Sequence, residues 1–113
     1  NGIDEHDPRR WQFSTLYRED HPFPYAALDD VVAHFKYVID LVGVEHVGIG
    51  SDFDGVGDSL PEGLKDVSGY PNLIERLLAL GLSEDEVKGI MGGNLLRVWQ
   101  ANIDFAKTAA AGG

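Results

Sequence analysis

Residues 44–52, which read VEHVGIGSD, decide the fold. Val47 and Ile49 lie among glycines, and this pattern predicts a short strand that is buried on both faces, as in a parallel sheet. Gly48 and Gly50 weaken a strand on their own, so they indicate that another part of the protein approaches closely. We therefore predict a buried strand over residues 44–52 in an α/β fold.

An amphipathic helix is predicted before the strand, over residues 27–43. Its apolar residues recur every three or four positions, which is the spacing of one helix face. Asp29 and Asp30 fall in the first turn, where the helix dipole favours negative charge, and Gly43 supplies the stop. The apolar stripe consists of Leu28, Val31, Val32, Phe35, Val38, Ile39 and Val42.

The strand leads into a loop over residues 53–70 that is rich in glycine and acidic residues. Residues 71–107 are predicted to form the closing helices. Pro71 suits the first turn of one helix. Ser83 and Glu86 have the spacing of a capping box for the next. That helix is expected to end at Gly92-Gly93, and Asn94 is a candidate cap for the last one.

The first 26 residues are predicted to be irregular. Trp11, Phe13, Thr15 and Tyr17 alternate with other residues, which is compatible with a short strand. The nearby prolines favour a loop instead.

A lone buried strand leaves its backbone N–H and C=O groups without partners, which a folded protein does not tolerate. The neighbouring strands must therefore come from elsewhere. We expect residues 1–113 to be a single partial domain, cut from a longer α/β protein.

Composition excludes several classes of function. The 113 residues contain 19 acidic and 9 basic side chains, for a net charge of −10, and 43% of them are hydrophobic. This acidic balance argues against a nucleic-acid partner and an anionic membrane surface. No apolar run is long enough for a transmembrane segment. The absence of cysteine excludes disulfides and cysteine-ligated zinc.

The candidate site consists of Asp52 and Asp54, at the carboxyl end of the predicted strand. Ligands and catalytic groups gather at that end of open α/β sheets and barrels. Carboxylates there can bind a metal or act as a general acid or base. Asp and Gly also favour ordinary turns, so the spacing alone leaves both interpretations open.

Two other known motifs share features with the loop that begins at Asp52. An EF-hand beginning at Asp52 needs an acidic residue at position 5 and glutamate at position 12, but Val56 and Gly63 occupy these positions. The Asp-x-Asp-Gly pattern is also similar to the nucleophile loop of haloacid-dehalogenase-like phosphatases. That family usually has a more aliphatic strand and later Lys and Asp motifs, whereas only 61 residues follow Asp52.

The whole stretch resembles the membrane (renal) dipeptidase family of zinc metallopeptidases. Residues 46–55, HVGIGSDFDG, are similar to the last-strand motif of that family. The similarity continues through PEGL (61–64), DVS (66–68), YPNLI (70–74) and VKGIMGGNLLRVW (87–99). A run of agreeing segments is more specific than any single short pattern.

The resemblance implies the C-terminal part of a (β/α)8 TIM-type barrel of the metal-dependent hydrolase superfamily, mostly helical and including the eighth strand. It also implies dipeptide hydrolysis by a hydroxide that bridges two zinc ions. The family's ligands are a His-x-Asp pair, a bridging Glu and two further histidines. This chain has no His-x-Asp, so we expect no metal ligands in it and no activity of the segment alone.

Asp52 matches the acid that ends the eighth strand of the family, next to the bridging hydroxide and the amino end of the substrate. The resemblance therefore implies that Asp52 is catalytic and contacts the substrate. Asp54 is the weaker candidate for substrate binding and is expected mainly to brace the loop.

The remaining polar and aromatic residues are interpreted as structural. His34 is expected on the flank of a helix and His46 at the end of the strand opposite an active site. Arg97 is expected to pair with an acidic residue. Met91 and Trp99 are expected in the core, and Tyr70 is a candidate anchor for the long loop.

The partners implied are a dipeptide substrate and, because family members often dimerise, a second copy of the chain. Localisation stays open: a cytoplasmic relative is favoured, and anchored or secreted forms occur in the family. The main alternative function is a non-catalytic acidic helical interaction domain, and the phosphatase-like enzyme is a weaker one.

Overall fold

The computed structural model describes residues 9–112, with side chains from residue 15 onward. Most of the described chain is helical. The helices are α1 (Arg9–Asp20), α2 (Leu28–Val42), α3 (Tyr70–Ala79), α4 (Glu84–Lys88) and α5 (Asn94–Ala111). Short 3-10 turns lie at Val44–His46 and Val67–Gly69, and a wide π-type turn at Gly89–Gly93 joins α4 to α5.

Helix α2 has the bounds that its apolar stripe predicts. The carboxylate of Asp30 accepts a hydrogen bond from the backbone N–H of Ala27 at 2.8 Å, at the start of the helix. Gly43 ends it with φ 93°, and its N–H donates to the Ile39 carbonyl at 2.9 Å. A left-handed residue after a helix is usually glycine, because a Cβ is strained there.

The predicted capping box before α4 is confirmed. The backbone N–H of Glu86 donates to Ser83 Oγ at 3.2 Å, and the N–H of Ser83 donates to Glu86 Oε2 at 2.7 Å. These hydrogen bonds favour the charged carboxylate, so they lower the pKa of Glu86. The predicted break at Gly92-Gly93 is also present, because Gly92 has φ 157° inside the wide turn.

The N-terminal prediction is wrong where the structure describes it. Residues 9–20 form helix α1 rather than irregular chain or a short strand, and residues 1–8 lie outside the described part. The rings of Tyr17 and His21, four residues apart, stack at 4.1 Å. Residues four positions apart meet in this way on one face of a helix, whereas the strand prediction rested on residues two positions apart. The helix ends just before Pro22, whose ring disfavours continuation.

The predicted strand over residues 44–52 is also wrong for this chain, since no strand occurs anywhere in residues 9–112. Residues 44–46 form a 3-10 turn, and Val47 is extended, with φ −109° and ψ 140°. A strand is defined by pairing with a neighbour, and within the described residues the backbone groups of residues 48–50 pair with nothing.

The core is formed by α2, α3, α4 and the segment around Val47. Leu73, Leu77 and Ile90 are fully buried at its centre. Phe35, Tyr70 and Met91 are among the partly buried residues packed against it. The buried apolar side chains are Val32, Val47, Leu64, Leu73, Leu77, Val87 and Ile90.

Helix α5 packs little of its length against this core. Trp99, predicted to be a core residue, is 62% exposed, and Leu95 is 66% exposed. The solvent-accessible surface is 8777 Å², whereas a compact protein of this size exposes about 6,100 Å². The prediction that Trp99 lies in the core is wrong, because a sequence pattern shows that one face of a helix is apolar but not which part of the protein covers that face. No helix within residues 9–112 is both long and apolar enough to span a membrane.

Candidate functional site

Asp52 lies at the surface, within residues 47–53, which have no regular secondary structure. Its φ is +48°, which makes it the only non-glycine residue with positive φ in the described part of the chain. Asp and Asn enter this left-handed region more readily than most residues, because their short side chains can bond locally. The backbone therefore turns sharply at Asp52, at the start of the acidic loop.

Asp54 is exposed as well, two residues further along. Over residues 15–112, neither the Asp52 nor the Asp54 carboxylate has a hydrogen-bond or ion-pair partner. Both oxygens of each carboxylate are thus open to an incoming group. The expectation that Asp54 mainly braces the loop is therefore wrong for the described residues, whereas its weak role in substrate binding stays a prediction.

Tyr70 contacts both neighbours of Asp52. Its phenol oxygen is hydrogen-bonded to the hydroxyl of Ser51, and its ring lies 5.6 Å from the ring of Phe53, inclined by 45°. These residues help to line a largely apolar cavity of about 160 Å³, together with Phe35 and Leu64. The expectation that Tyr70 anchors the loop is confirmed by these contacts.

A second set of contacts holds the far side of the loop, which we call the Tyr25 clasp (Tyr25, Asp58 and Lys65). The Tyr25 hydroxyl donates to Asp58 Oδ2 at 2.6 Å, and Lys65 Nζ donates to Asp58 Oδ1 at 2.9 Å. The Lys65 ammonium also lies 3.8 Å above the centre of the Tyr25 ring. The clasp joins the chain before α2 to the loop that begins at Asp52.

The clasp shifts the protonation of two of its members. The hydrogen bond from Tyr25 lowers the pKa of Asp58, and Lys65 lowers it further. The same hydrogen bond raises the pKa of Tyr25, because it favours the protonated phenol. Asp58 and Lys65 are solvent-exposed and Tyr25 is partly buried, and the sequence contains no local pattern that predicts their association.

Asn94 and Arg97 hold the segment that leads to Asp52. The Asn94 amide donates to the carbonyls of Val44, at 2.9 Å, and Val47, at 2.8 Å. Arg97 Nη2 donates to the Glu45 carbonyl at 2.6 Å, rather than to an acidic side chain as expected. The Asn94 side chain does not cap α5, so that expectation is wrong too.

The histidines of the described part do not form a metal site. His34 Nδ1 lies 2.7 Å from the Asp30 carbonyl, on the exposed flank of α2 as expected. His46 Nε2 lies 3.5 Å from Glu45. No cluster of three or more His, Cys, Asp or Glu side chains that could hold a metal occurs among residues 15–112. The side chains present here do not fit a pair of zinc ions.

Comparison with known proteins identifies the family. Residues 18–112 match the family model described as "Membrane dipeptidase (Peptidase family M19)". The chain is 55% identical over 73 residues to Dipeptidase aclJ of Aspergillus oryzae, covering 65% of this chain and 17% of that protein. It is 42% identical over 94 residues to an uncharacterized dipeptidase of Schizosaccharomyces pombe, covering 82% of this chain and 22% of that protein.

A human relative gives the same result. The chain is 47% identical over 75 residues to Dipeptidase 3 of Homo sapiens, covering 66% of this chain and 15% of that protein. The chain thus spans about a fifth of the length of the curated relatives it matches. Because the family model covers most of the chain, the chain belongs to the membrane dipeptidase family.

Proposed function

We propose that this chain is the part of a dipeptidase that supplies the proton-transferring carboxylate, Asp52. The observation that carries the proposal is the position of Asp52 within a segment that matches the family: it is exposed, has a left-handed backbone and lacks a partner in the described chain. The relatives whose names describe them as dipeptidases support dipeptides as the substrate class.

Hydrolysis of a peptide bond requires two proton movements. The attacking water must lose a proton, and the departing amine must gain one. A single carboxylate beside the scissile bond can perform both steps, first as a base and then as an acid. Asp52 takes this role, and Asp54 contributes weakly to substrate binding.

The two zinc ions that the family resemblance implies would have to be bound by residues outside this chain. The sequence lacks a His-x-Asp pair, and the described side chains contain no suitable cluster. We therefore assign no step of the reaction in this chain to zinc, and we expect the segment by itself to be inactive.

We also propose that the segment is completed by further strands of a (β/α)8 barrel. Within the described chain, residues 48–50 have unpaired backbone groups, and an unpaired backbone is costly once it is buried. On α5, Leu95, Trp99 and Phe105 are between 62% and 75% exposed, and contiguous exposed apolar side chains usually mark a surface that meets another part of a protein. Both features are those of a unit that packs against the remainder of a larger domain.

The test is turnover by a complete protein that carries this segment, with a panel of dipeptides and a phosphate monoester as substrates. Hydrolysis of dipeptides alone supports the proposal. Hydrolysis of the phosphate monoester alone would support the phosphatase alternative. A folded, metal-loaded protein without either activity would favour the non-catalytic interaction domain, for which the exposed apolar face of α5 is the relevant observation.

A further inference from the structure

Among residues 15–112, no hydrogen bond or ion pair directs the Asp52 carboxylate, yet a proton-transferring group must be held in a narrow range of positions. Its backbone is in the left-handed region, which costs free energy for a residue other than glycine. The groups that hold this conformation must therefore act through the neighbouring residues. Ser51 and Phe53 are the two neighbours, and Tyr70 contacts both.

Tyr70 is itself firmly held. It begins α3, and Pro71 follows it in the first turn, where its fixed φ suits a helix. The preceding Gly69 is buried so tightly that a Cβ there would lie 2.8 Å from the Gly63 carbonyl oxygen. Leu73, one turn later, is 1% exposed. The ring of Tyr70 is thus anchored to the core, whereas Asp52 lies at the surface.

We propose that Tyr70 is a positioning residue for Asp52. Its hydroxyl holds Ser51 and its ring holds Phe53, so that the backbone between them keeps the left-handed turn that presents the Asp52 carboxylate. Tyr70 does not itself touch the reacting atoms. This inference rests on the proposed function, because it assigns Tyr70 a role in the reaction that Asp52 performs.

A purely structural role for Tyr70 predicts a different result. If the ring only fills the core, then Tyr70→Phe, which keeps the ring and removes the hydroxyl, should leave both the loop and the reaction unchanged. If the hydroxyl positions Asp52, then Tyr70→Phe and Ser51→Ala should have the same effect, and the double variant should be no worse than either single one.

The experiment uses a complete dipeptidase that carries this segment, as wild type, Tyr70→Phe, Ser51→Ala and the double variant. Tyr37→Phe is the matched control, because Tyr37 is 69% exposed on α2, does not line the cavity beside Tyr70, and has no hydrogen bond from its hydroxyl within residues 15–112. We expect kcat to fall about 10- to 100-fold in Tyr70→Phe, in Ser51→Ala and in the double variant, which is the loss typical of a small misplacement of a catalytic group. We expect KM to change little, since substrate binding is not the step affected.

Hydrogen–deuterium exchange over residues 51–55 provides a readout that does not depend on activity. We expect faster exchange there in Tyr70→Phe and Ser51→Ala than in the wild type and Tyr37→Phe. Unchanged exchange and unchanged kcat, or purely additive losses, would overturn the inference. If Tyr70→Phe does not fold, Ser51→Ala decides alone. If the wild type lacks dipeptidase activity, the proposed function fails. Faster exchange over residues 51–55 in Tyr70→Phe and Ser51→Ala would then still support the contact between Tyr70 and Ser51, and unchanged exchange would refute it.

Discussion

The side-chain amide of Asn94 donates a hydrogen bond to the carbonyl oxygen of Val47 across a distance of 2.8 Å, although 47 residues separate them. The same amide nitrogen reaches the carbonyl of Val44 at 2.9 Å. Asn94 thus satisfies two backbone acceptors in a segment that forms no strand. Its position at the start of α5 connects the wide turn after α4 to the chain that leads to Asp52.

We expect Asn94→Ala to destabilise the protein by about 1–3 kcal/mol, the usual cost of leaving partly buried polar groups without partners. Asn94→Asp should be at least as harmful, because it places a carboxylate against two carbonyl oxygens. Asn102→Ala is the control, since Asn102 makes only a local, exposed hydrogen bond to the Val98 carbonyl at 2.8 Å. Urea unfolding of the three variants measures the difference. Equal losses in Asn94→Ala and Asn102→Ala would contradict the role given to Asn94.

Asp52→Asn should strongly reduce kcat in a complete dipeptidase carrying this segment, while the metal content stays unchanged. Asparagine keeps the size of the side chain but cannot exchange a proton. Loss of a general acid–base group typically costs about 10²- to 10⁴-fold in rate. Asp54→Asn should cost less, because Asp54 is assigned only a weak role in substrate binding.

His46→Gln is the control for that series. His46 lies on the exposed turn before Val47, beside Glu45, so its loss should leave catalysis nearly unchanged. The measurements are kcat and zinc content for all three variants. An inactive Asp54→Asn enzyme beside an active Asp52→Asn enzyme would show that the catalytic role belongs to Asp54.

The 113-residue chain by itself should neither take up two zinc ions tightly nor hydrolyse dipeptides. A binuclear site needs several fixed histidine and carboxylate ligands, and residues 15–112 contain no cluster of the required kind. A zinc titration monitored by isothermal titration calorimetry tests this expectation, together with a dipeptide assay on the same sample. Stoichiometric zinc uptake at submicromolar affinity, accompanied by turnover, would refute it.

The Tyr25 clasp should respond to pH at both ends of the range. The folded-state pKa of Asp58 lies below its ordinary value of 3.8, so the stability that it contributes is present above that value and is lost as pH falls through the lowered pKa. The folded-state pKa of Tyr25 lies above 10.0, so its contribution is present below that value and is lost as pH rises through the raised pKa.

Tyr25→Phe tests the cause of the Asp58 shift. Removal of the phenol should raise the pKa of Asp58 toward its ordinary value, while the remaining contact with Lys65 keeps part of the shift. Carbon-detected NMR titration of the carboxyl groups measures this change. Asp66 is an internal control, because its pKa is lowered by hydrogen bonds from Ser68 instead. An Asp58 pKa that does not move in the variant would show that the hydrogen bond to Tyr25 is not the main cause.

The elements that could be predicted from the sequence are those whose determining contacts are local. The stripe of α2, its stop at Gly43 and the capping box of Ser83 and Glu86 involve residues three or four positions apart. Such contacts form within one turn of helix, so neighbouring residues carry all the information needed. The similarity of residues 46–55 to a dipeptidase motif likewise needs only the order of residues, and the family match agrees with it.

Asp52 could be predicted from the sequence as a candidate site residue, but the side chains that hold the chain around it could not. Ser51 and Tyr70 are 19 residues apart, Tyr25 and Asp58 are 33 apart, and Asn94 lies 47 residues from Val47. Nothing in the local sequence predicts which distant side chain will satisfy a given hydroxyl or carbonyl, because that choice depends on how the helices pack.

The sequence by itself therefore determined the family, the position of the central helices and the carboxylate proposed to act. The tertiary structure decided that residues 44–46 form a 3-10 turn, that residues 47–52 pair with no strand of the described chain, and that Trp99 stays exposed. Helices follow from contacts within a few residues, whereas a strand and a buried face each require a partner surface. The partner surface is set by packing between distant parts of a protein. Apolar residues in the sequence show only that a partner surface is needed, not which part of the protein supplies it.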